Sequence, residues 1–246
     1  MHANDIIDFH CHALKRSVDH LVDRENVVTS VIHPAFDDFD DLESYHDFAR
    51  EVIQDHGGRI LAFIGIDFSK DPINIREDFE HVNASGIKIH PILQDIPVNK
   101  KEFMKPFMDV IEGLDVPVYV HTDHPGVPIY NKYRPLLKSR FGRFAKHFPS
   151  CKLVMGHAGN NDSYLLAKEV LELRNNTLVE TSLLPVPSEL EKISTRVENG
   201  NNRILFGSNE PYSSFQVELK KIEILSLSKN EKRAILHDNA RRLLKL

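Results

Sequence analysis

The feature that most constrains this chain is a repeated alternation. Eight short, mostly apolar runs lie at residues 6–12, 27–33, 60–67, 86–90, 116–122, 152–157, 178–182 and 204–208, separated by longer segments with helical periodicity. Most runs are rich in Val and Ile, as strands covered on both faces should be. Between them, Tyr45, Phe48, Ala49, Val52 and Ile53 mark one helical stripe, closed by Gly57 and Gly58. Further helices are expected near residues 73–84, 100–113, 133–148, 163–173, 188–197 and 215–225. Ser228-Lys229-Asn230-Glu231 has the form of a capping box, and residues 240–244 suit a last turn or two. Strands alternating with helices imply parallel pairing through right-handed crossovers. Eight such units favour a closed (β/α)8 barrel of TIM type over an open doubly wound sheet. The whole chain, residues 1–246, reads as one α/β domain without a linker, repeat or low-complexity stretch.

Composition narrows the function classes. The formal net charge of -5 argues against a general polyanion binder, so no nucleic-acid partner is expected. Cys11 and Cys151 are the only cysteines and neither lies in a CxxC, which excludes a thiolate zinc cluster and disfavours a secreted disulfide framework. No apolar run approaches the ~18 residues of a membrane span, and the N-terminus lacks a signal-peptide pattern. A cytoplasmic enzyme is the expectation, with a homodimer as the assembly to consider. No GxGxxG or Walker A run is present, which weighs against a nucleotide-binding domain.

Polar residues crowd the ends of the runs. The first ends in His10-Cys11-His12, the second in His33, the fourth in Lys88 and His90, the fifth in His121 with Asp123 and His124 beyond, the sixth in His157, the seventh in Glu180-Thr181-Ser182, and the eighth in Ser208-Asn209-Glu210. Strand alternation turns His10 and His12 to one side and Cys11 to the other. In a barrel these ends form the active-site face. Four imidazoles there suit a divalent metal. A lone histidine after a strand is more often structural, and His2, His20, His46, His56, His81, His147 and His237 fall in helical or loop patterns of that kind.

Ile7-Asp8-Phe9-His10-Cys11-His12, Gly86-Ile87-Lys88-Ile89-His90-Pro91, residues 116–122, Gly156-His157-Ala158-Gly159, residues 203–211 and Asn239-Ala240-Arg241-Arg242-Leu243-Leu244 together resemble the amidohydrolase-related family. That branch of the amidohydrolase superfamily includes decarboxylases, lactonases and hydratases. The resemblance spans nearly the whole chain. It implies a distorted (β/α)8 barrel with a single divalent metal, zinc being the expected ion. By position it makes His10, His12 and His121 metal ligands. His157 becomes a proton-transferring histidine, or a ligand of a second metal. Lys88 takes the place at which some superfamily members carry a carbamylated, metal-bridging lysine; a cation for a substrate carboxylate is the preferred reading. His90, His33 and Arg134 are further candidates for substrate contact, and Arg16 is another cation for a carboxylate.

One departure stands out. The family pattern Phe-Gly-Ser-Asp reads Phe206-Gly207-Ser208-Asn209 here. An amide can offer oxygen to a metal but cannot serve as a base near neutral pH, and it removes a negative charge from the site. Glu210 could take over the role with a shifted backbone, the chemistry could do without that base, or activity could be lost. The expected function is a metal-dependent hydrolase or lyase, decarboxylase- or lactonase-like, acting on a small carboxylated or cyclic substrate. The alternatives are a catalytically impaired barrel that binds a small molecule and a TatD-like metallonuclease.

Overall fold

The computed structural model describes residues 5–13, 16–35, 39–122 and 134–246. Its strands are β1 (Ile6–Cys11), β2 (Val27–Ile32), β3 (Ile60–Gly65), β4 (Gly86–Ile89), β5 (Pro117–Val120), β6 (Lys152–Met155), β7 (Thr177–Glu180) and β8 (Ile204–Leu205). They lie side by side in chain order, each parallel to the next. Helices including Leu42–His56, Asn74–Val82, Lys101–Glu112, Arg134–His147, Ser163–Leu173 and Pro187–Arg196 carry the chain between strands, so the expected (β/α)8 arrangement is present. No helix among the described residues is long and apolar enough to cross a membrane.

Alternation along the strands sorts the core into two layers. Ile7, Phe9, Val31, Phe63, Tyr119, Val154 and Leu205 fill the barrel interior. Their neighbours in sequence, among them Ile6, Ile32, Ile64, Val118, Val120, Leu153, Met155 and Ile204, face the helices instead. The same parity carries Lys88, His121 and Glu180 to the inside. β1 is the exception that matters. Asp8 pairs with Ser30 and Cys11 with Ile32, so β1 spends three steps where β2 spends two. The extra residue is a bulge, and it lets Phe9 and His10 both face inward although they are consecutive. Phe9 meets Phe63 ring to ring at 5.5 Å, while His10 meets Tyr119 at 4.5 Å.

β8 is shorter than the expected run 204–208. Beyond Leu205 the backbone bonds across to β1: Phe9 N donates to Phe206 O at 2.9 Å, Asn209 N to His10 O at 2.7 Å, and His12 N to Glu210 O at 2.8 Å. These bonds close the ring. Side chains reinforce the seam. Asp8, fully buried, accepts from Ser208 N at 2.8 Å and Ser208 Oγ at 2.6 Å. Arg24, just before β2, donates to Asp8 at 2.7 Å, Glu210 at 3.0 Å and Ser30 at 2.7 Å, and its guanidinium sits 4.6 Å from the Phe215 ring centre. One guanidinium thus ties β1, β2 and the chain after β8 together. The Ser228 capping box forms as expected, with Ser228 accepting from Glu231 N.

Two outcomes follow from this packing. Arg24→Met leaves Asp8 buried without its cation, so chemical unfolding should show a loss of about 3–5 kcal/mol; an unchanged midpoint would show that the seam does not depend on it. Cys11 is buried against Val31 O, and burial raises its thiol well above the usual range; the Cys151 thiol is pushed up to about 12 by burial. Native protein at pH 8 should therefore leave both thiols unmodified by a disulfide reagent over minutes, and denaturant should release both.

Candidate functional site

The strand ends gather a belt of imidazoles. His10 lies 4.9 Å from His12, 4.6 Å from His33 and 5.3 Å from His157, ring centre to ring centre. His157 continues the belt to His121 at 4.7 Å, and His121 stacks on His90 at 4.0 Å. His10, His12, His33, His90, His121 and His157 are all buried. Lys88, also buried, places its ammonium 5.6 Å from the Tyr119 ring centre. Arg134 opens the helix Arg134–His147, and its side chain lies outside the described residues, as do Asp123 and His124. Arg16 reaches outward to Asp40 at 3.1 Å, both largely exposed.

The hydrogen bonds assign the ring protons. His12 Nδ1 faces His33 O at 3.0 Å, and His157 Nδ1 faces Ser182 O at 3.2 Å. A carbonyl only accepts, so both Nδ1 atoms carry a proton, and in the neutral ring of His12 the lone pair is then on Nε2. His10 Nδ1 meets Glu180 Oε2 at 3.2 Å and Tyr119 OH at 2.9 Å, which gives it the same tautomer. His10 Nε2 is buried without a hydrogen-bond partner. His33 is reversed: its Nε2 donates to Phe9 O at 2.9 Å, and its Nδ1 is left unpartnered. Burial first, then neighbouring imidazoles and Lys88, hold His10 and His33 well below the usual histidine range; for His12 burial and Lys88 do so. All three are neutral, as metal-binding imidazoles must be.

Asn209 sits in the left-handed region, at φ 52°. Its Oδ1 lies 3.2 Å from His12 Nε2. Both atoms carry lone pairs in that arrangement, so the contact is repulsive unless the amide turns its nitrogen inward or a cation lies between. Glu210 does not join the imidazoles. Its carboxylate bonds to Arg24, and only its backbone oxygen reaches β1, through His12 N.

Glu180, at the end of β7, is the residue that sequence reasoning left out of the site. Oε2 accepts from Tyr119 OH at 3.0 Å, Ser182 Oγ at 3.1 Å and His157 N at 3.2 Å as well as meeting His10, and Oε1 accepts from Ser182 N. Burial pushes its carboxyl up to about 7 against the pull of these donors. A Cβ at Gly207 would overlap Glu180 Oε1, and one at Gly156 would overlap Tyr119 OH, so both glycines are required by close approach. Parity with Leu178 on β7 was the signal that could have placed Glu180 inside. Tyr212 was also missed; it is 53 % exposed and stands edge-on to His12 at 5.1 Å.

The residues fit a divalent metal. Among the described residues, the possible ligands whose atoms lie within 4.8 Å of one another are His10, His157 and Glu180, and of the expected trio His10, His12 and His121 only His10 is in that group. The unpartnered His10 Nε2 and the facing lone pairs of His12 and Asn209 are further atoms that a cation would satisfy.

Comparisons with known proteins agree with this fold. The 2,6-dihydroxybenzoate decarboxylase from Rhizobium superposes with a TM-score of 0.76 at 17 % identity, covering 98 % of this chain and 99 % of that one. The 5-carboxyvanillate decarboxylase from Sphingomonas paucimobilis gives 0.76 at 14 % identity, with 99 % of each chain covered. A dihydroxybenzoic acid decarboxylase from Polaromonas sp. JS666, with bound manganese and the inhibitor 2-nitroresorcinol, gives 0.76 at 16 %, covering 99 % of this chain and 97 % of that one. At such identities the likeness establishes the fold. No curated protein sequence matches the chain. The amidohydrolase family model matches residues 7–246, and the chain belongs to the amidohydrolase family.

Proposed function

We propose that the chain is a metal-dependent lyase that decarboxylates a small carboxylated aromatic compound at the barrel mouth. The observation that carries this reading is the shared anchoring of His10, His12 and His157 through Nδ1, beside the Lys88 ammonium. His10, His12 and His121 hold the ion in this reading. An imidazole-rich donor set favours zinc, although the similar Polaromonas enzyme binds manganese. The decarboxylases of aromatic acids among the similar structures support the substrate class.

When bound, the ion supplies a Lewis acid that polarises the substrate's oxygen. The remaining work falls to side chains. Lys88 pairs with a substrate carboxylate. Tyr212, half exposed above His12, stacks on the aromatic ring. The bond between ring carbon and carboxylate breaks and CO2 leaves; His157 Nε2 takes the proton of the substrate's phenol hydroxyl and passes it to the ring carbon, leaving the decarboxylated phenolate. Asn209 weighs toward a lyase in this reading. Hydrolysis needs a base to take a proton from water, which an amide near pH 7 is not. Decarboxylation needs no such base. Glu210, held by Arg24, belongs to the wall in this reading, and His33 and His90 shape the mouth.

Metal-loaded protein should release CO2 from dihydroxybenzoates or hydroxylated methoxybenzoates and leave lactones and esters intact. Lys88→Met should lower kcat/KM by about 10²-fold, the cost of losing one partner of a buried charge pair. Tyr212→Ala should raise KM about 2- to 10-fold, in line with ~0.5–1.5 kcal/mol for an aromatic contact. Lactone hydrolysis without CO2 release would make the chain a hydrolase. Tight binding of an aromatic acid without turnover would make it a binding barrel.

The neutral histidines also set a pH dependence for the metal-free protein. Each folded-state pKa lies below its unfolded value of about 6.5. Below that pH the unfolded chain takes up protons that the folded chain does not. Stability is therefore complete above about pH 6.5 and should fall with acidification, by up to ~1.4 kcal/mol per pH unit for each histidine. Denaturant titrations between pH 7 and 5 measure the net slope, which Glu180, with its carboxyl raised to about 7, opposes because it gains a proton in the folded state over the same range; Glu180→Gln removes that opposition, and a flat profile in this variant would contradict the neutral assignment.

A further inference from the structure

Glu180 is a fully buried carboxylate that, among the described residues, has no lysine or arginine paired with it. Its neighbours at ion-pair distance are His10 Nδ1 at 3.2 Å and His157 Nδ1 at 3.7 Å. A buried anion without a cation is costly and persists where hydrogen bonds or a metal compensate it. Here the hydrogen bonds are in place. Oε2 is shared by the Tyr119 hydroxyl, the Ser182 hydroxyl, the His157 amide and the His10 ring, and Oε1 takes the Ser182 amide. So many donors occupy its lone pairs and leave little room for Glu180 to bind a metal itself. They leave it facing the Nδ1 side of two imidazoles whose Nε2 atoms point the other way.

Asn209 makes this placement consequential. The strand-eight position carries a neutral amide against His12 Nε2, so it contributes no charge to a divalent cation. A carboxylate hydrogen-bonded to the far nitrogen of a metal-binding histidine raises that ligand's basicity and fixes its orientation. We propose that Glu180 is a positioning residue: it holds His10 and His157 with Nε2 toward the mouth and supplies, through His10, the negative charge that Asn209 withholds. This inference rests on the metal reading under the proposed function.

The test is a set of zinc and manganese affinities, measured by competition with a metallochromic chelator on wild type, Glu180→Gln, Asn209→Asp and the double variant. Glu180→Gln should bind either ion roughly 10- to 100-fold more weakly. Asn209→Asp should restore most of that loss in the Glu180→Gln background. The visible spectrum of the cobalt(II)-loaded protein should shift in Glu180→Gln, which a loss of stability alone would not produce. Folded Glu180→Gln that binds metal as tightly as wild type, with an unchanged cobalt spectrum, would overturn the proposal while leaving the metal site intact. Wild type that takes up no metal would overturn the underlying reading and this inference with it. If Glu180→Gln does not fold, Tyr119→Phe decides: it removes the hydroxyl bonded to both Glu180 Oε2 and His10 Nδ1, so weaker metal binding supports the role and unchanged binding rejects it.

Discussion

The mouth of this barrel is organised around one buried carboxylate. Glu180 receives the Tyr119 hydroxyl from β5, the His157 amide from the turn after β6, the Ser182 amide and hydroxyl just beyond its own strand, and the His10 ring from β1. In a low-dielectric interior such a group is stable only if nearly every lone pair is used, and when it is, the network fixes the positions of its donors. That is why three strands and two turns arrive at one geometry without a disulfide or a long-range salt bridge at this point. The glycines follow from the same demand. Gly207 and Gly156 leave the space that Glu180 and Tyr119 occupy.

A second network stands behind the first. Asp8, Arg24, Ser208 and Glu210 lock the chain after β8 against β1 and β2. The backbone between Ser208 and Glu210 is held on both sides, and Asn209 takes a left-handed conformation there with its amide against His12. A strained backbone at a functional position persists where its surroundings over-determine it, and the clasp does so here. It also fixes the fate of Glu210. The carboxylate that could have replaced the absent aspartate is spent on Arg24, one wall away from the imidazoles.

The barrel was legible in the sequence because eight apolar runs and their intervening helical stripes leave few alternatives, and the gathering of His10, His12, His121 and His157 at one face was legible because run ends become one face of such a barrel. Other features were not. Phe9 and His10 are consecutive, and strict alternation would send them to opposite faces; only the register against β2 shows the bulge that turns both inward. Glu180 reads in sequence as one polar residue among several, since nothing local shows that Tyr119, His157 and Ser182 aim donors at it. Arg24 lies in a turn and looks exposed, yet its side chain is only 9 % accessible. Long-range polar networks join residues with no common periodicity, so pattern alone does not reveal them.

Metal binding at this mouth depends on the direction in which the imidazoles present their lone pairs. A crystal soaked in manganese or zinc, with an anomalous difference map, tests this most directly. The account predicts one strong peak within bonding distance of His10 Nε2 and His12 Nε2, on the mouth side of the belt, with Glu180 still hydrogen-bonded to His10 Nδ1. A peak bound directly to Glu180 on the Nδ1 side, or no peak in the mouth, would contradict it.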